Sequence, residues 1–284
     1  MRRLALVLVF FALAGCGLGS GDRVVVSPGA PPAEVEVSVP TVAASNEGPP
    51  AATQAVPAPP AAQDGEWQTI EEGMEFREIG VSITNVQIVR VDPALRRVRV
   101  AYDVASPGRV GEWAAALKSP LVINGGYFNA QGRATALTIY DGVVAGDSYD
   151  GFGGMLAIDT AGALSLRSLR EQPYSPDESL AQALQSAPML VLDGAPVPQP
   201  NDDGERSRRS VVATDSAGRL LIIACSWPAF SLTELSQWLV EQDLDVVNAL
   251  NLDGGSSTGL VLNTAARSFS IDSLVRVPQV LVVE

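Results

Sequence analysis

The sequence contains no histidine among its 284 residues. Imidazole is therefore excluded as a base, an acid or a metal ligand, and any catalysis must use carboxylates, amides, hydroxyls, arginine, lysine or the backbone. A metal site would have to be built from oxygen ligands, which suit calcium, magnesium or manganese. The sequence identifies no cofactor, and the binding of such a divalent cation stays open.

Positive charge is also scarce. The chain has 19 Lys and Arg against 32 Asp and Glu, which gives a formal net charge of −13. Binding a phosphate backbone needs clustered basic residues, so nucleic acid is excluded as a partner. The apolar fraction of 46% is enough, at this length, for one large domain or two small ones.

The N-terminus carries the features of an export signal. Arg2 and Arg3 precede the apolar run Leu4–Leu13, which is too short to span a bilayer, and the sequence LAGC ends at Cys16. This pattern resembles a bacterial lipoprotein signal, which implies removal of residues 1–15 and a lipid on Cys16. An ordinary cleaved signal with an incidental cysteine is the alternative. We expect an exported lipoprotein at the outer face of the cell membrane or in the periplasm, with the membrane as a partner through its lipid.

Residues 16–65 are predicted to form a lipid-anchored tether. Ser27–Gln63 is rich in Pro, Ala, Val, Ser and Thr, contains nine of the 20 prolines and shows no hydrophobic period. Such a composition favours a disordered, extended spacer. The folded domain is therefore expected to span residues 66–284. If Cys16 carries lipid, Cys225 has no partner for a disulfide within that domain.

Hairpins are expected to make up most of the folded part. Two β-rich runs within Val81–Val104 are separated by Asp92-Pro93, which favours a hairpin. Three further pairs of apolar runs flank turn sequences at Asp141-Gly142, Thr160–Gly162 and Ser216–Gly218.

Helices are expected to be few. Gly111–Lys118 and the stretch around Ser179–Gln185 are compatible with helices, and Ser231 with Glu234 forms a capping box before an amphipathic run. Together with the hairpins, these elements predict a single α+β domain with a largely antiparallel or mixed sheet, rather than a regular βα barrel.

Two predicted strands end in the same way. Leu121–Asn129 and Ala249–Leu260 each run from apolar residues into a polar residue, Asn124 or Asp253, which is followed by a glycine pair. Glycines allow a ligand to approach the backbone, while the preceding strand holds the polar side chain in place. Asn-Gly and Asp-Gly are also common turn sequences, so either motif alone has a purely structural interpretation.

A third motif concentrates arginine in an acidic chain. Arg206, Arg208 and Arg209 lie at the entry to an apolar strand within Glu205–Asp215. The planar guanidinium binds phosphate or carboxylate through two parallel hydrogen bonds. The alternative is a solvated turn whose arginines balance neighbouring acidic residues.

In this order, the motifs resemble the phosphodiester glycosidase family, which includes the domain of the mannose 6-phosphate uncovering enzyme and of bacterial exopolysaccharide-related proteins. The resemblance covers roughly Phe76–Glu284 and rests on NGGYF, PMLVLDG, RRSVVATD, SLTELSQWL, ALNLDGG and VPQVLVV. Ser256 stands where many members have a third glycine, which leaves the shape of that loop open.

The resemblance implies hydrolysis of a sugar 1-phosphodiester in an envelope or extracellular glycan, so the expected partner is a carbohydrate or glycan phosphodiester. Phosphate is a good leaving group, so its departure needs charge stabilisation more than a strong acid. We predict that Asp253 acts as nucleophile or base and that Arg208 or Arg209 contacts the phosphoryl group, with Arg209 favoured because it lies beside the strand that begins at Ser210. The predicted substrate-binding residues are Asn124, Gly125, Gly126, Tyr127, Arg208, Asn251, Gly254, Gly255, Ser256 and Ser257.

Two other functions compete with this prediction. A serine hydrolase built on Ser256 or Ser257 would lack the histidine of the usual triad. A non-catalytic glycan-binding or exopolysaccharide-related envelope protein could use the same pocket without cutting the glycan, because a fold does not determine a function.

Overall fold

Antiparallel strands dominate a computed structural model of the chain, which describes residues 65–284. The predicted signal, Cys16 and nearly all of the predicted tether lie outside the described residues. In chain order the strands are β1 Gln68–Glu71, β2 Met74–Val81, β3 Thr84–Val91, β4 Val98–Tyr102, β5 Leu121–Asn124, β6 Thr138–Tyr140, β7 Val143–Ala145, β8 Gly154–Asp159, β9 Leu164–Ser168, β10 Leu180–Ser186, β11 Met189–Leu192, β12 Ala195–Pro196, β13 Ser207–Asp215, β14 Leu220–Phe230, β15 Val246–Asn251, β16 Leu260–Asn263, β17 Ser268–Ile271 and β18 Gln279–Val283.

The strands form three sheets. The order is β1-β2-β3-β14-β13-β15-β11-β12 in the first sheet, β7-β6-β10-β8-β9 in the second and β17-β16-β5-β18-β4 in the third. Every pairing between these strands is antiparallel. The predicted single β-rich domain is therefore confirmed for the described residues, although α+β is a loose description of so little helix.

Two α-helices cover outer faces of the sheets. Helix α1, Val110–Leu117, packs on the third sheet, and helix α2, Leu232–Glu241, packs on the first. The capping box predicted at the start of α2 is confirmed, because Ser231 accepts from the amide of Glu234 and the Glu234 carboxylate accepts from the amide of Ser231.

The main core lies between the inner faces of the three sheets. It combines residues such as Phe76, Leu156, Leu184, Leu250 and Leu281, all of which are almost completely buried. A second cluster fills the space between the first sheet and α2, and Cys225 is buried there as a free thiol. Burial raises the pKa of this thiol, so it behaves as a small apolar side chain.

The helix predicted around Ser179–Gln185 is wrong. This stretch is β10, which lies in the middle of the second sheet between β6 and β8. Its Leu, Ala and Gln residues favour helix locally, but tertiary pairing overrides that weak preference. The buried side chains of Gln182 and Gln185 find long-range partners instead, since they accept from the backbone amides of Val100 and Tyr149.

The hairpin predicted across Asp92-Pro93 is also wrong. Strand β3 pairs with β2 and β14 in the first sheet, whereas β4 pairs with β18 in the third. The segment between β3 and β4 is therefore a connection between sheets. The other three predicted hairpins are confirmed as β6–β7, β8–β9 and β13–β14.

Candidate active site

The candidate site lies at one end of the first sheet, where β13 and β15 are neighbours. Val211 pairs with Asn251 across these strands, and Arg209 pairs with Cys225 on the other side of β13. Because side chains alternate along a strand, Arg209 and Asn251 share the sheet face that packs against α2, whereas Ser210 points to the opposite, inner face. The alternation therefore divides the predicted site residues into two groups.

Asn124 organises the inner group. Its side chain is completely buried, and its nitrogen donates to the main-chain oxygens of Asp253 at 2.6 Å and Gly125 at 3.2 Å. Its oxygen accepts from the hydroxyl of Ser210 at 2.7 Å and the amide of Gly259 at 3.0 Å. The amide thus joins the two glycine motifs to β13 and is saturated by the protein itself.

Arg208 belongs to the same inner group. Its Nη2 donates to the carbonyl oxygens of Thr258 at 2.8 Å and Asp272 at 2.9 Å. These bonds connect the first sheet to the loop before β16 and to the residue that follows β17. The predicted contact between Arg208 and substrate stays a prediction, and its guanidinium supports the backbone.

Asp253 is the carboxylate of the outer group, which also contains Asn251 and Arg209. It follows β15, is half-buried, and stands before a single 3-10 turn at Gly255–Ser257. Burial raises the pKa of the carboxyl group, while hydrogen bonds from the Ser257 hydroxyl and the Gly254 amide partly lower it. The carboxylate is therefore held in place and only partly solvated, which suits a nucleophile or base.

Tyr127 and Asn251 form a hydrogen-bonded pair beside Asp253. The hydroxyl of Tyr127 donates to the Ala187 carbonyl at 2.9 Å and accepts from the Asn251 side chain at 3.0 Å. Burial raises the pKa of Tyr127 to about 12, and the charge of Asp253 adds to this rise. The phenol is thus neutral at pH 7 and lies within electrostatic range of the carboxylate.

Arg209 completes the outer group. Its Nε donates to the Phe230 carbonyl and its Nη2 to the Glu205 carbonyl, both at 3.1 Å. Burial lowers the pKa of this guanidinium, and the charge of Arg209 in turn lowers the pKa of Tyr127. An arginine and a carboxylate therefore both act on one phenol, on the same side of the sheet.

Arg206 lies apart from both groups. It is exposed and forms a two-pronged ion pair with Glu234. Arg206 is therefore solvated, as the alternative expects, but its partner is Glu234 on α2 and not a neighbouring acidic residue of the turn. Arg208 and Arg209 are partly buried.

The glycine pair after Asn124 is required by internal packing. A Cβ at Gly126 would lie 2.8 Å from the Gln185 carbonyl oxygen, and one at Gly125 would lie 2.7 Å from Cγ of Gln279. The sequence interpretation assigned this space to a ligand, but protein atoms fill it.

Packing requires the first glycine of the second pair, Gly254-Gly255, and turn geometry favours the second. A Cβ at Gly254 would lie 2.9 Å from the Arg208 carbonyl oxygen, and Gly255 has a φ of +57°. Ser257 is buried and Ser256 is exposed at the rim. Of the four predicted donors here, Ser256 is the most accessible to a ligand.

The comparisons with known proteins agree with the motif order. A model of the phosphodiester glycosidase family matches residues 118–284, which is more than half of the chain. The chain belongs to the phosphodiester glycosidase family. The family resemblance inferred from the sequence is thereby confirmed, and the matched range contains every predicted site residue except Cys16.

Two solved structures resemble this phosphodiester glycosidase fold. The catalytic domain of zebrafish N-acetylglucosamine-1-phosphodiester alpha-N-acetylglucosaminidase, auto-inhibited by its pro-peptide, has a TM-score of 0.60 and 19% identity over 78% of this chain and 87% of that chain. A hypothetical protein from Synechocystis has a TM-score of 0.52 and 16% identity over 78% of this chain and 64% of that chain. At these identities the likeness concerns the fold. No curated protein matches the chain.

Sequence reasoning missed the end of β10 and its connection to β11. The Ala187 carbonyl accepts from both Tyr127 and Asn251, and Gln185 packs against Gly126. The motif PMLVLDG begins at Pro188 and was the available sequence signal for this region. The motif does not show that the carbonyl of the preceding residue, Ala187, faces the site.

Within residues 65–284, no three His, Cys, Asp or Glu side chains converge on a point that could hold a metal ion. The same residues include no helix long and apolar enough to cross a bilayer.

Proposed function

We propose that this phosphodiester glycosidase hydrolyses a sugar 1-phosphodiester, with Asp253 as nucleophile or base and Arg209 as the contact to the phosphoryl group. One observation supports this most. Arg209 lies on β13, Asp253 lies two residues after the end of the neighbouring β15, and both charges influence the pKa of Tyr127. A carboxylate and a guanidinium therefore both lie within electrostatic range of Tyr127, in a chain that has no histidine.

The proposed hydrolysis needs few groups besides the Asp253 carboxylate and the Arg209 guanidinium. The bond between the anomeric carbon and the phosphate oxygen breaks, the oxygen leaves with the phosphomonoester, and a water oxygen ends on the sugar. Arginine offsets the negative charge that grows on the departing phosphate. A carboxylate either attacks the anomeric carbon or removes a proton from the attacking water.

The substrate is proposed to be a phosphodiester-linked sugar of an envelope or extracellular glycan, reached from a lipid on Cys16. The zebrafish protein is named for an N-acetylglucosamine 1-phosphodiester. We therefore place such a diester first in a panel of sugar 1-phosphodiesters.

The test distinguishes cleavage of the bond between the anomeric carbon and oxygen from cleavage of a phosphorus–oxygen bond. Hydrolysis in oxygen-18 water should put the label on the released sugar and leave the phosphomonoester unlabelled. Asp253→Asn should abolish the release, whereas Arg206→Lys, which changes an exposed arginine paired with Glu234, should not. Label in the phosphate would contradict a glycosidase.

A non-catalytic glycan-binding protein is the second candidate. It is favoured by Arg209, two of whose guanidinium nitrogens already donate to backbone carbonyls. Binding of the diesters without release of sugar from any member of the panel would establish this alternative.

A further inference from the structure

A loop with two aromatic residues borders the candidate site. We name Gly146–Gly153 the aromatic loop. Its terminal glycines have φ values of +72° and +74°, and each packs directly on a backbone carbonyl, that of Ala136 or that of Ser186. A side chain at either position would both strain the backbone and clash. The loop is therefore fixed at both ends.

Gln185 holds the middle of the aromatic loop. This buried side chain accepts from the amide of Tyr149 at 2.8 Å and donates to the hydroxyl of Ser148 at 2.9 Å. The carbonyl of the same residue packs against Gly126. One glutamine thus connects the loop to the glycine motif of the site.

The two aromatic rings of the loop stack on each other. The ring centroids of Tyr149 and Phe152 are 4.5 Å apart, with an interplanar angle of 24°. Tyr149 also packs on Gly153, whereas Phe152 is 51% exposed. The inner ring therefore supports an outer ring that presents apolar surface to solvent.

The sheet order places this pair on the far side of Asp253 from Arg209. β13 carries Arg209, β15 leads to Asp253, and β11 is next in the sheet. Gly153 packs against Ser186, the last residue of β10, and against Ala187, in the short connection to β11. At about 4.8 Å per strand, the carboxylate lies between the guanidinium and the aromatic loop.

The aromatic loop also lies close to Tyr127. Gly153, at the end of the loop, packs on Ala187, whose carbonyl accepts from the Tyr127 hydroxyl at 2.9 Å. The loop therefore lies near enough to Tyr127 to touch a ligand that reaches Asp253.

We propose that Tyr149 and Phe152 form a subsite for the sugar ring, in which Phe152 stacks on the apolar face of that ring. This inference rests on the proposed function. With phosphate at Arg209 and the anomeric carbon at Asp253, the sugar must extend away from Arg209, toward the aromatic loop. Aromatic side chains commonly line ligand sites because they offer a large apolar face at low entropic cost.

Two carboxylates of the loop favour a ring with hydroxyl groups over a phosphate, and Arg170 Nε, which donates to the Gly151 carbonyl at 3.4 Å, offsets only part of their charge. Asp147 and Asp150 are exposed within the loop, and its sequence GDSYDGFG contains no basic residue. Two carboxylates repel an anion and accept hydrogen bonds from sugar hydroxyls. The phosphoryl group is thus directed to Arg209 and the sugar to Phe152.

Binding experiments on the full chain test the subsite without turnover. The probes are the methyl α-glycosides of N-acetylglucosamine, glucose, galactose and mannose, and inorganic phosphate. Phe152→Ala should weaken binding of the preferred glycoside by about tenfold, the scale of one aromatic contact, and leave phosphate binding unchanged. Phe152→Tyr should retain glycoside affinity within about twofold, because it keeps the aromatic face.

Two variants control for folding and for loss of apolar surface. Phe152→Leu keeps an apolar side chain without an aromatic face and should bind glycoside as weakly as Phe152→Ala. Leu95→Ala removes an apolar side chain that is 57% exposed between β3 and β4, away from β13 and β15, and should change nothing. Thermal melting of each variant checks the fold.

The outcomes separate this inference from the proposed function. Glycoside affinity that is unchanged in Phe152→Ala, or no glycoside binding by the wild-type protein, overturns the subsite. If binding depends on Phe152 but no diester is hydrolysed, the subsite stands and the hydrolase proposal fails. If diesters are hydrolysed with an unchanged KM in Phe152→Ala, the hydrolase stands and the subsite fails.

Discussion

The side-chain nitrogen of Asn124 donates to the main-chain oxygen of Asp253 at 2.6 Å, across 129 positions of sequence. This bond joins the two glycine motifs. It fixes the backbone that carries the carboxylate, and the Ser257 hydroxyl and the Gly254 amide hold the carboxylate itself. Asn124 is thus a positioning residue.

Asn124→Ala should destabilise the protein strongly. The change removes a saturated amide and leaves Ser210, Gly259 and the Asp253 carbonyl without that partner, while the Gly125 carbonyl still accepts from the Asp253 amide. Each unsatisfied buried group costs about 1–3 kcal/mol, so we expect a loss of about 3–5 kcal/mol in urea unfolding. Asn201→Ala, at an exposed asparagine, should stay within about 0.5 kcal/mol of wild type. Equal stability of the two variants would contradict the positioning role.

Asp253→Asn should lose hydrolysis by about 10⁴-fold or more while the fold survives. Burial raises the pKa of Asp253, so at neutral pH the folded protein carries a charge that burial disfavours. The variant should therefore melt at or above the temperature of wild type at pH 7. Initial rates and thermal melting measure the two effects. Wild-type activity in a folded variant would make Asp253 a turn residue.

The raised pKa of Asp253 also predicts how the stability and the activity of the protein depend on pH. Since the folded state holds this proton more tightly, the stability due to Asp253 falls as pH rises from the ordinary aspartate pKa, about 3.9, to the raised value. The melting advantage of Asp253→Asn should thus shrink below about pH 4. The wild-type kcat/KM should rise with pH through a pKa above the ordinary value, because the deprotonated form reacts.

Arg208→Lys and Arg209→Lys should fail in different ways. Lysine keeps the charge but loses the planar fork. Arg209→Lys should reduce turnover of a phosphodiester, because Arg209 shares the face of Asn251 next to Asp253, and it should also lower the melting temperature, because it loses bonds to the Phe230 and Glu205 carbonyls. Arg208→Lys should lower the melting temperature, because it loses bonds to the Thr258 and Asp272 carbonyls. If Arg209→Lys hydrolyses the phosphodiester at the wild-type rate, Arg209 has no role in the mechanism.

Gly126→Ala should destabilise the protein by about 1–3 kcal/mol, the usual cost of overpacking. The new methyl group would lie 2.8 Å from the Gln185 carbonyl, which is backbone and cannot rotate away. Gly142→Ala is a matched control with open space around it, although its φ of +78° adds some strain. Chemical denaturation compares them, and a smaller loss for Gly126→Ala than for Gly142→Ala would argue against the packing role.

Cys16→Ser should release the protein from the membrane fraction, since the lipid would have no thiol to attach to. Fractionation followed by immunoblotting measures the distribution, with Cys225→Ser as a control that leaves the proposed anchor intact. Limited proteolysis should also trim residues before about Glu66 and leave a stable core, because exposed proline-rich segments are cut first. Unchanged membrane retention of Cys16→Ser would contradict the anchor.

Local sequence signals predicted many elements of the fold correctly. The capping box of Ser231 and Glu234 and the turns at Asp141-Gly142 and Ser216–Gly218 depend on residues within a few positions of each other. Their physics is local and can be recognised without knowledge of the fold. The helix predicted at Ser179–Gln185 failed because strands on both sides determine its conformation.

By itself, the sequence determined the family, the absence of histidine chemistry, the strand-rich character and the order of the three motifs. Only the tertiary structure decided which of two adjacent arginines shares a face with Asn251, and that Asn124 supports the backbone of Asp253. It also decided that the Gln185 carbonyl packs against Gly126. The reason is that side-chain direction depends on strand register and on pairing between distant segments, which composition and spacing do not encode.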